Sequence, residues 1–338
     1  MRIRFNFIMW LALVAFPFGG LADEGFDEYL KQVREQAMTE GVSALTIDQA
    51  FAGLTPDERV IGFDRRQPEF VQTFEEYLQA RVSAFRISEG RRLLTEHRAL
   101  LERVSAGYGV EPEYIVAFWG LETSFGRHQG NYSIIRSLAT LGYDPRRSAF
   151  FTSELVRALH ILDEGHVESA DFVGAWAGAM GQCQFMPGSF LDFAQDFDGD
   201  GRKDIWQSKA DVFASIAAYL QAAGWTAGRG WGAPISLPAS IEPQSLVPET
   251  WDTSCRALKY HTRELSLTEW RDRGVVPTGN IAAGRYALLL PESGEQTSYL
   301  VGGNFRAILK YNCANKYAVS VGLLADLLAM DPVSPESS

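Results

Sequence analysis

The sequence predicts a mainly α-helical (α+β) fold with a small antiparallel sheet in its carboxyl-terminal third. Through most of residues 24–224, apolar side chains recur every three or four positions, which is the spacing of amphipathic helices. Between residues 251 and 312 the apolar residues form short runs bounded by turn residues, a pattern typical of strands. With 338 residues, 46% of them hydrophobic, the chain is long enough to bury one large core or two ordinary ones.

The first 22 residues have the pattern of a secretory signal peptide. Arg2 and Arg4 precede an apolar run at residues 5–18, and Gly20-Leu21-Ala22 supplies the small residues of a cleavage site. The run is too short for a comfortable membrane span, so an uncleaved anchor is the weaker alternative. No cysteine adjoins the cleavage point to carry a lipid. We therefore expect an exported, soluble protein without a transmembrane segment after cleavage.

The charge of the chain argues against nucleic acid as a partner. The formal net charge is −11, and removal of the two arginines of the signal leaves about −13 on the remainder. A polyanion is not expected to bind such a surface. The charge carries no information about neutral polymers such as glycans.

Three cysteines predict one disulfide and one free thiol, the simplest arrangement in an exported protein. They are Cys183, Cys255 and Cys313. We predict that Cys255 pairs with Cys313, because both lie in the last third of the chain.

The stretch that ends at Glu122 has the features of a buried helix with a carboxylate at its end. Glu111 can cap this helix, and Pro112 suits its first turn, where a missing N–H costs nothing. Ile115, Trp119 and Glu122 fall on one face. Burial there would raise the pKa of the Glu122 carboxyl, which would then act as a general acid near neutral pH. The alternative is a glutamate in a solvated turn.

Other helices and the strands are predicted from the same spacing rules and from capping residues. The predicted helices are one capped by Ser88 and running to Val104, Ile134–Leu141 after Ser133, Arg147–Glu164, Gly188–Gln195 opened by Pro187, Ser208–Gly224 and Asn315–Met330. The predicted strands are Tyr286–Leu290, Tyr299–Val301 and Phe305–Leu309, with a turn at residues 291–294 between the first two.

An acidic loop at residues 196–211 resembles the start of an EF-hand. Asp196, Asp198 and Asp200 occupy positions 1, 3 and 5, a glycine occupies position 6, and Arg202 offers its carbonyl at position 7. Position 12 is glutamine instead of the bidentate glutamate, and Asp211 can replace it. Ca²⁺ is the expected ion because an all-oxygen site suits a hard cation. The alternative is a solvated acidic turn.

Five separated segments together resemble the B-type lytic murein transglycosylases, glycoside hydrolase family 103. They are Asp64–Phe70, Trp119–Gly126, Trp176–Gln182 with Gln184–Pro187, the acidic loop, and Tyr311-Asn312 with Tyr317-Ala318. They follow one another in the family's order along nearly the whole chain after the signal.

The resemblance implies a lysozyme-like helical catalytic core at 108–232 that contains the cation loop. An N-terminal helical region at 23–107, a mixed region at 233–330 with a minor sheet and a final helix returning to the core, and a tail at 331–338 complete the implied organisation. It also implies a periplasmic peptidoglycan lytic transglycosylase of the carbon–oxygen lyase type, exo- or endo-acting. Such enzymes cleave the β-1,4 bond between N-acetylmuramic acid and N-acetylglucosamine and leave a 1,6-anhydromuramic end without using water.

The implied site consists of one acid/base and several glycan-contacting groups. Glu122 matches the catalytic residue, and Gln184, Tyr311, Asn312 and Tyr317 match the glycan contacts. The acidic loop matches the family's cation loop, and no organic cofactor is implied. The implied partners are peptidoglycan glycan strands and other cell-wall remodelling enzymes. One departure is Ala175, where the family often has a serine whose hydroxyl can orient the catalytic carboxyl.

Two rival functions use the same residues. A hydrolytic muramidase would differ only in finishing the reaction with water, and the residues alone do not exclude it. A non-catalytic peptidoglycan-binding scaffold would leave Glu122 without a role, although the presence of Glu122 together with Gln184 and Asn312 opposes it. A calcium sensor is disfavoured because the chain has one acidic loop instead of a pair.

Overall fold

The computed structural model describes four stretches of the chain, which are residues 21–65, 72–279, 281–290 and 297–330. Within them lie fourteen α-helices and seven short strands. Four predicted features lie wholly or mostly outside the described residues, and these are the signal peptide, the Arg66–Phe70 part of the first family segment, the turn at 291–294 and the tail at 331–338.

The helices cover the larger part of the described chain. They are α1 (Leu21–Thr39), α2 (Ala44–Phe51), α3 (Glu58–Arg65), α4 (Phe74–Arg81), α5 (Ala84–Glu96), α6 (Arg98–Tyr108), α7 (Pro112–Thr123), α8 (Ile134–Tyr143), α9 (Ser148–Asp163), α10 (Pro187–Phe193), α11 (Lys209–Ala222), α12 (Leu267–Asp272), α13 (Gly303–Tyr311) and α14 (Asn315–Ala329). None of the helices in the described ranges is both long and apolar enough to cross a membrane.

The strands form one small and one larger antiparallel sheet. They are β1 (Tyr132–Ser133), β2 (Val173–Gly174), β3 (Gly232–Ser236), β4 (Leu265–Ser266), β5 (Val276–Pro277), β6 (Arg285–Leu289) and β7 (Ser298–Val301). Strands β1 and β2 pair with each other, and the other five lie in the order β4-β6-β7-β3-β5. The predicted small antiparallel sheet is therefore present.

The larger sheet separates two hydrophobic clusters. Because side chains alternate between the faces of a strand, Ala287 and Leu289 of β6 join the main core while Leu288 joins the smaller cluster. The smaller cluster is completed by Trp270 of α12, whose indole N–H donates to the carbonyl of Tyr286 at 2.9 Å. The main core takes side chains from most of the helices, and α7 lies within it against α5, α6, α11 and α14.

Most predicted helices are present with nearly the predicted bounds. The hydroxyl of Ser133 accepts from the N–H of Arg136 and caps α8, Pro187 opens α10, and Ser208 caps α11. Helix α14 ends one residue earlier than predicted.

Three predictions are wrong. Ser88 caps no helix: it lies inside α5, which Ser83 caps through the N–H of Arg86. Helix α5 ends at Glu96, and a separate helix, α6, begins at Arg98. The Phe305–Leu309 strand is instead part of α13. A run of five apolar-rich residues fits either period, but over nine residues Phe305, Ile308 and Leu309 are buried at helical spacing. The amphipathic spacing of the predicted Arg147–Glu164 helix also places Phe150 on its inward face, but in α9 this side chain is 46% exposed.

A disulfide joins Cys255 to Cys313, and Cys183 is a free, buried thiol. The predicted pairing is therefore confirmed. The bond closes a loop between residues separated by 58 positions and links the segment before a 3₁₀ turn at Arg256–Tyr260 to the residues that precede α14.

Removal of this disulfide is expected to destabilise the protein chiefly by freeing the unfolded chain. Closure of a loop of this length contributes about 4 kcal/mol by the chain-entropy relation. We predict that Cys255→Ser/Cys313→Ser lowers the free energy of unfolding in urea by about 2–4 kcal/mol and abolishes the effect of a reductant. A double variant that is as stable as the oxidised wild type would contradict this prediction.

Candidate active site

Glu122 lies at the carboxyl end of α7, a helix that is buried on all sides. Every residue from Tyr114 to Leu121 is buried, and Thr123 is buried as well, whereas Glu122 is partly accessible to solvent. The sequence predicted one apolar face, but a helix that is apolar all round belongs in the interior of a core. Glu111 precedes α7 as predicted, but its carboxylate accepts from the indole of Trp225 at 2.9 Å instead of capping the helix.

The chain reverses directly after Glu122 through three successive left-handed residues. Ser124, Phe125 and Gly126 have φ angles of 52°, 63° and 80°, a conformation that is uncommon for residues with a side chain. The Thr123 hydroxyl accepts from the N–H of Gly126 at 2.9 Å and supports the turn. A Cβ on Gly126 would lie 2.4 Å from the amide oxygen of Gln182, so the turn requires glycine there.

Tyr317 of α14 is the direct partner of the Glu122 carboxyl. Its hydroxyl donates to Oε1 of Glu122 at 2.5 Å. Burial raises the pKa of Glu122 to about 7, while this hydrogen bond and the charge of Arg81 partly offset the rise. Burial and the neighbouring Glu122 charge hold the pKa of Tyr317 well above its usual range, so the tyrosine remains the donor.

Tyr311 is close to this pair but uses its hydroxyl within the protein. The ring of Tyr311 packs against Phe118 and Tyr219 with centroids 4.7 and 4.6 Å apart, and its hydroxyl donates to the carbonyl of Cys183 at 2.5 Å. Tyr311 and Tyr317 both lie close enough to Glu122 for its negative charge to raise their pKa. The structure therefore brings three of the predicted site residues together.

Gln184 lies in the segment that precedes α10, and Asn312 directly follows α13. Gln184 adopts a left-handed conformation with φ of 52°, and its amide nitrogen donates to the carbonyl of Gly181 at 2.9 Å and to that of Gln129 at 3.2 Å. Asn312 follows α13 and is exposed. Neither residue has a hydrogen bond to Glu122 among the described residues, and their role as glycan contacts stays a prediction.

The side chain of Gln182 is buried beside the site and forms several hydrogen bonds there. The sequence indicated this residue only as part of a family segment. Its amide oxygen accepts from the indole N–H of Trp119 at 2.8 Å and from Lys209 at 3.1 Å. Its amide nitrogen donates to the carbonyl of Trp206 at 2.6 Å, and its own carbonyl accepts from Thr123 at 3.1 Å. Sequence reasoning missed this role and the electrostatic effect of Arg81 on Glu122, because both depend on how the fold brings distant segments together.

The acidic loop brings three of its predicted ligands together. Carboxylate oxygens of Asp196, Asp198 and Asp211 all lie within 4.8 Å of one another. Asp200 is not part of this group; its carboxylate accepts from the N–H of Arg202 at 2.8 Å. Whether Asp200 and the Arg202 carbonyl complete a cation site stays a prediction.

Asp211 shows the electrostatic strain that a cation would relieve. It is fully buried, and its two oxygens accept from the N–H groups of Phe197 and Asp204, each at 2.8 Å. Burial raises the pKa of Asp211 to about 6, and the negative charge of Asp198 adds to the rise. A cluster of three carboxylates with one raised pKa is the donor set that a hard divalent cation fits.

The chemistry available at Glu122 is that of a single group serving as acid and base. A carboxyl with a pKa of about 7 exchanges a proton near neutral pH in either direction. Within the described chain, the groups that shift its pKa are a tyrosine and an arginine, and no second carboxylate is among them.

Comparison with known proteins gives concordant relationships. A family model described as a transglycosylase SLT domain matches residues 25–326. The membrane-bound lytic murein transglycosylase B of Escherichia coli (strain K12) is 33% identical over 238 residues, which are 70% of this chain and 62% of that protein. This chain therefore spans less than two thirds of the length of that relative.

Two solved structures extend the comparison to the fold. SltB3 from Pseudomonas aeruginosa in complex with NAG-anhNAM-pentapeptide superimposes with a TM-score of 0.81 at 42% identity, over 90% of this chain and 79% of that one. Slt35 of Escherichia coli in complex with calcium does so with a TM-score of 0.73 at 26% identity, over 89% and 92%.

These likenesses confirm the predicted mainly helical, lysozyme-like fold and the resemblance to B-type lytic transglycosylases. The family match covers most of the chain and includes both Glu122 and the acidic loop. The chain belongs to the transglycosylase SLT domain family.

Proposed function

We propose that this protein is a peptidoglycan lytic transglycosylase in which Glu122 is the catalytic acid and then the catalytic base. The observation that carries the proposal is the carboxyl of Glu122, partly accessible at the end of a buried helix, with its pKa raised to about 7. The lytic transglycosylase relative and the anhydromuramoyl ligand of SltB3 support the same reaction class. The proposed substrate bond is the β-1,4 bond between N-acetylmuramic acid and N-acetylglucosamine.

In the first step, protonated Glu122 donates its proton to the glycosidic oxygen. The bond between that oxygen and muramoyl C1 breaks, and the N-acetylglucosamine end leaves as an alcohol. The acetamido carbonyl oxygen of the muramoyl residue bonds to C1 and holds the positive charge, which is the substrate-assisted route open to a site with one carboxylate.

In the second step, the Glu122 carboxylate removes the proton from the C6 hydroxyl of the same sugar. The C6 oxygen bonds to C1, and the bond from the acetamido oxygen breaks. Glu122 is protonated again, and the product is the 1,6-anhydro sugar with no water consumed.

Tyr317 is the residue that we assign to orienting the Glu122 carboxyl. Ala175 stands where the family often has a serine, so that position supplies no hydroxyl for this task. The Tyr317 hydrogen bond to Oε1 fixes one oxygen of Glu122 and leaves the other for the substrate. It also stabilises the charged form that must act as base in the second step.

Gln184, Asn312 and Tyr311 are proposed to contact the glycan. The exposed amide of Asn312 and the amide oxygen of Gln184 suit hydrogen bonds to N-acetyl groups. Tyr311 offers ring surface instead of its hydroxyl, because the hydroxyl is engaged by Cys183.

The acidic loop is proposed to hold a structural Ca²⁺ through Asp196, Asp198 and Asp211, with Asp200 and the carbonyl of Arg202 as further ligands. The support is the carboxylate cluster and the calcium complex of Slt35. A bound cation would neutralise the like charges of the loop.

The proposed place of action is the periplasm, after export through the signal peptide. Peptidoglycan glycan strands are the proposed partner, and other cell-wall remodelling enzymes are proposed partners by family alone. The division of the chain at residues 107 and 232 likewise stays a prediction.

We predict that Glu122→Gln abolishes product formation while the fold is kept. Loss of a general acid or base lowers rates by about 10²- to 10⁴-fold. Mass spectrometry of digested glycan strands is expected to detect 1,6-anhydromuropeptides only with the wild type, and Glu113→Gln on the first turn of α7 is the matched control. Reducing-end products from the wild type would identify a hydrolytic muramidase, and the absence of new products would favour the scaffold.

The pH profile is expected to depend on the Tyr317 hydrogen bond. Activity requires protonated Glu122, so kcat/KM should fall as the pH rises through about 7. Because the Tyr317 hydrogen bond lowers this pKa, Tyr317→Phe should move the fall to higher pH, whereas Tyr260→Phe should leave it in place. A fall at unchanged or lower pH in Tyr317→Phe would refute the assignment.

Ca²⁺ is expected to raise the thermal stability of the protein, and a chelator should reverse the effect. A ligand at 100 times its dissociation constant contributes about 2.7 kcal/mol to the folded state. We predict that Asp198→Asn loses most of the Ca²⁺-dependent rise in Tm, while Asp192→Asn, an exposed residue of α10, retains it. Equal Ca²⁺ responses of the two variants would place the ion elsewhere.

A further inference from the structure

We infer that Gln182 is a positioning residue that couples the acidic loop to α7, so that a cation bound in the loop adjusts the position of the α7 end that carries Glu122. The inference rests on the proposed function only where it concerns the role of Glu122. Gln182 is 2% exposed and has hydrogen bonds to the acidic loop, to α7 and to α11.

The connection toward the loop is a short series of hydrogen bonds. The amide nitrogen of Gln182 donates to the carbonyl of Trp206 at 2.6 Å, and its backbone N–H donates to the carbonyl of Ile205 at 2.8 Å. The N–H of Trp206 donates to Oδ1 of Asp204 at 2.9 Å. The N–H of Asp204 donates in turn to Oδ2 of Asp211, a member of the carboxylate cluster, at 2.8 Å.

The connection toward the helix has two points of attachment on either side of Glu122. The Gln182 amide oxygen accepts from the indole of Trp119, which lies nearly one turn before Glu122. The Gln182 carbonyl accepts from Thr123, which directly follows it. Lys209, the first residue of α11, donates to the same amide oxygen and lies 5.3 Å from the centroid of the Trp119 ring.

A primary amide satisfies both the loop side and the helix side of these connections. The Trp119 indole and Lys209 need an acceptor, whereas the Trp206 carbonyl needs a donor. A buried donor or acceptor that loses its hydrogen bond costs free energy, because no water is there to replace the partner. When the Trp206 carbonyl moves, the Gln182 amide therefore moves with it and displaces the Trp119 indole. A cation that draws Asp211 toward Asp196 and Asp198 acts on the same series of hydrogen bonds.

Two substitutions of Gln182 distinguish its hydrogen bonds to Trp119 and Lys209 from its hydrogen bond to the Trp206 carbonyl. Gln182→Met removes both hydrogen-bonding functions at similar volume. Gln182→Glu keeps an acceptor for Trp119 and Lys209, and at a pH above the pKa of the introduced carboxyl it turns a carboxylate oxygen toward the Trp206 carbonyl, which breaks the connection to the loop. Gln221→Met, an exposed glutamine of α11, is the matched control.

The test is a Ca²⁺ titration followed by the indole N–H resonance of Trp119 in protein labelled with ¹⁵N-tryptophan. We expect Ca²⁺ to move this resonance in the wild type and in Gln221→Met. In Gln182→Met and Gln182→Glu, Ca²⁺ should still raise Tm, because the carboxylate cluster is intact, but the Trp119 resonance should no longer respond.

The pH profile gives the second readout. Glu122 is faced by Tyr317, Tyr311, Arg81 and Cys183, none of which is altered by the variants. A loosened α7 end admits water to Glu122, so its pKa should fall toward the ordinary value. A fall of one unit from about 7 lowers the protonated fraction, and with it the rate at pH 7, about fivefold.

Two outcomes overturn the inference. One is a Trp119 resonance in the wild type that does not respond to Ca²⁺, and the other is a response of equal size in Gln182→Met. The resonance does not depend on turnover, so the two proposals fail separately. A coupled Trp119 signal in a protein that releases no anhydro product would reject the proposed function and retain the coupling.

Discussion

The structure depends on shielding the Glu122 carboxyl from most of its hydrating water while leaving it partly accessible at the protein surface. This is achieved by burying α7 from Tyr114 onward, so that Glu122 is the one residue beyond the first turn of the helix that reaches solvent. Desolvation raises the pKa of the carboxyl above its value in the unfolded chain, so the folded state loses stability as the pH rises from about 4.5 to about 7. The surrounding helices must therefore supply enough apolar contact to tolerate an ionisable group whose charged form is disfavoured by its position.

That requirement shapes the segment after Glu122. A helix end in a core leaves backbone groups without partners, and the left-handed turn at Ser124–Gly126 satisfies part of them at the expense of backbone strain. The ring of Phe125 packs nearly perpendicular to that of Trp119 with centroids 5.5 Å apart, and a Cβ on Gly120 would lie 2.6 Å from the Phe125 ring. The glycines and aromatics of this motif are thus matched parts of one turn.

The sequence predicted those features that are local. The start of α7 at Pro112, the small sheet and the acidic loop followed from spacing and turn chemistry within a few residues. The Phe305–Leu309 strand failed because five residues cannot distinguish a buried strand from a buried helix. The hydrogen bond of Glu122 with Tyr317 and the electrostatic effect of Arg81 on Glu122 join residues far apart in sequence, so only the family resemblance pointed to Tyr317, and nothing pointed to Arg81.

The acidic loop differs from the site in how its charges are accommodated. Asp196 accepts from the N–H groups of Gly199, Asp200 and Gly201, so its side chain already holds the loop in a turn. Asp211, by contrast, is buried beside Asp198 with a raised pKa, which leaves repulsion that backbone N–H groups reduce but do not cancel. A loop that is ordered by hydrogen bonds and still short of positive charge needs little reorganisation to accept a cation. An ion bound at the proposed site would act on a preformed structure, and the free energy of neutralising Asp211 would be available to tighten the hydrogen bonds that connect the loop to α7 through Gln182.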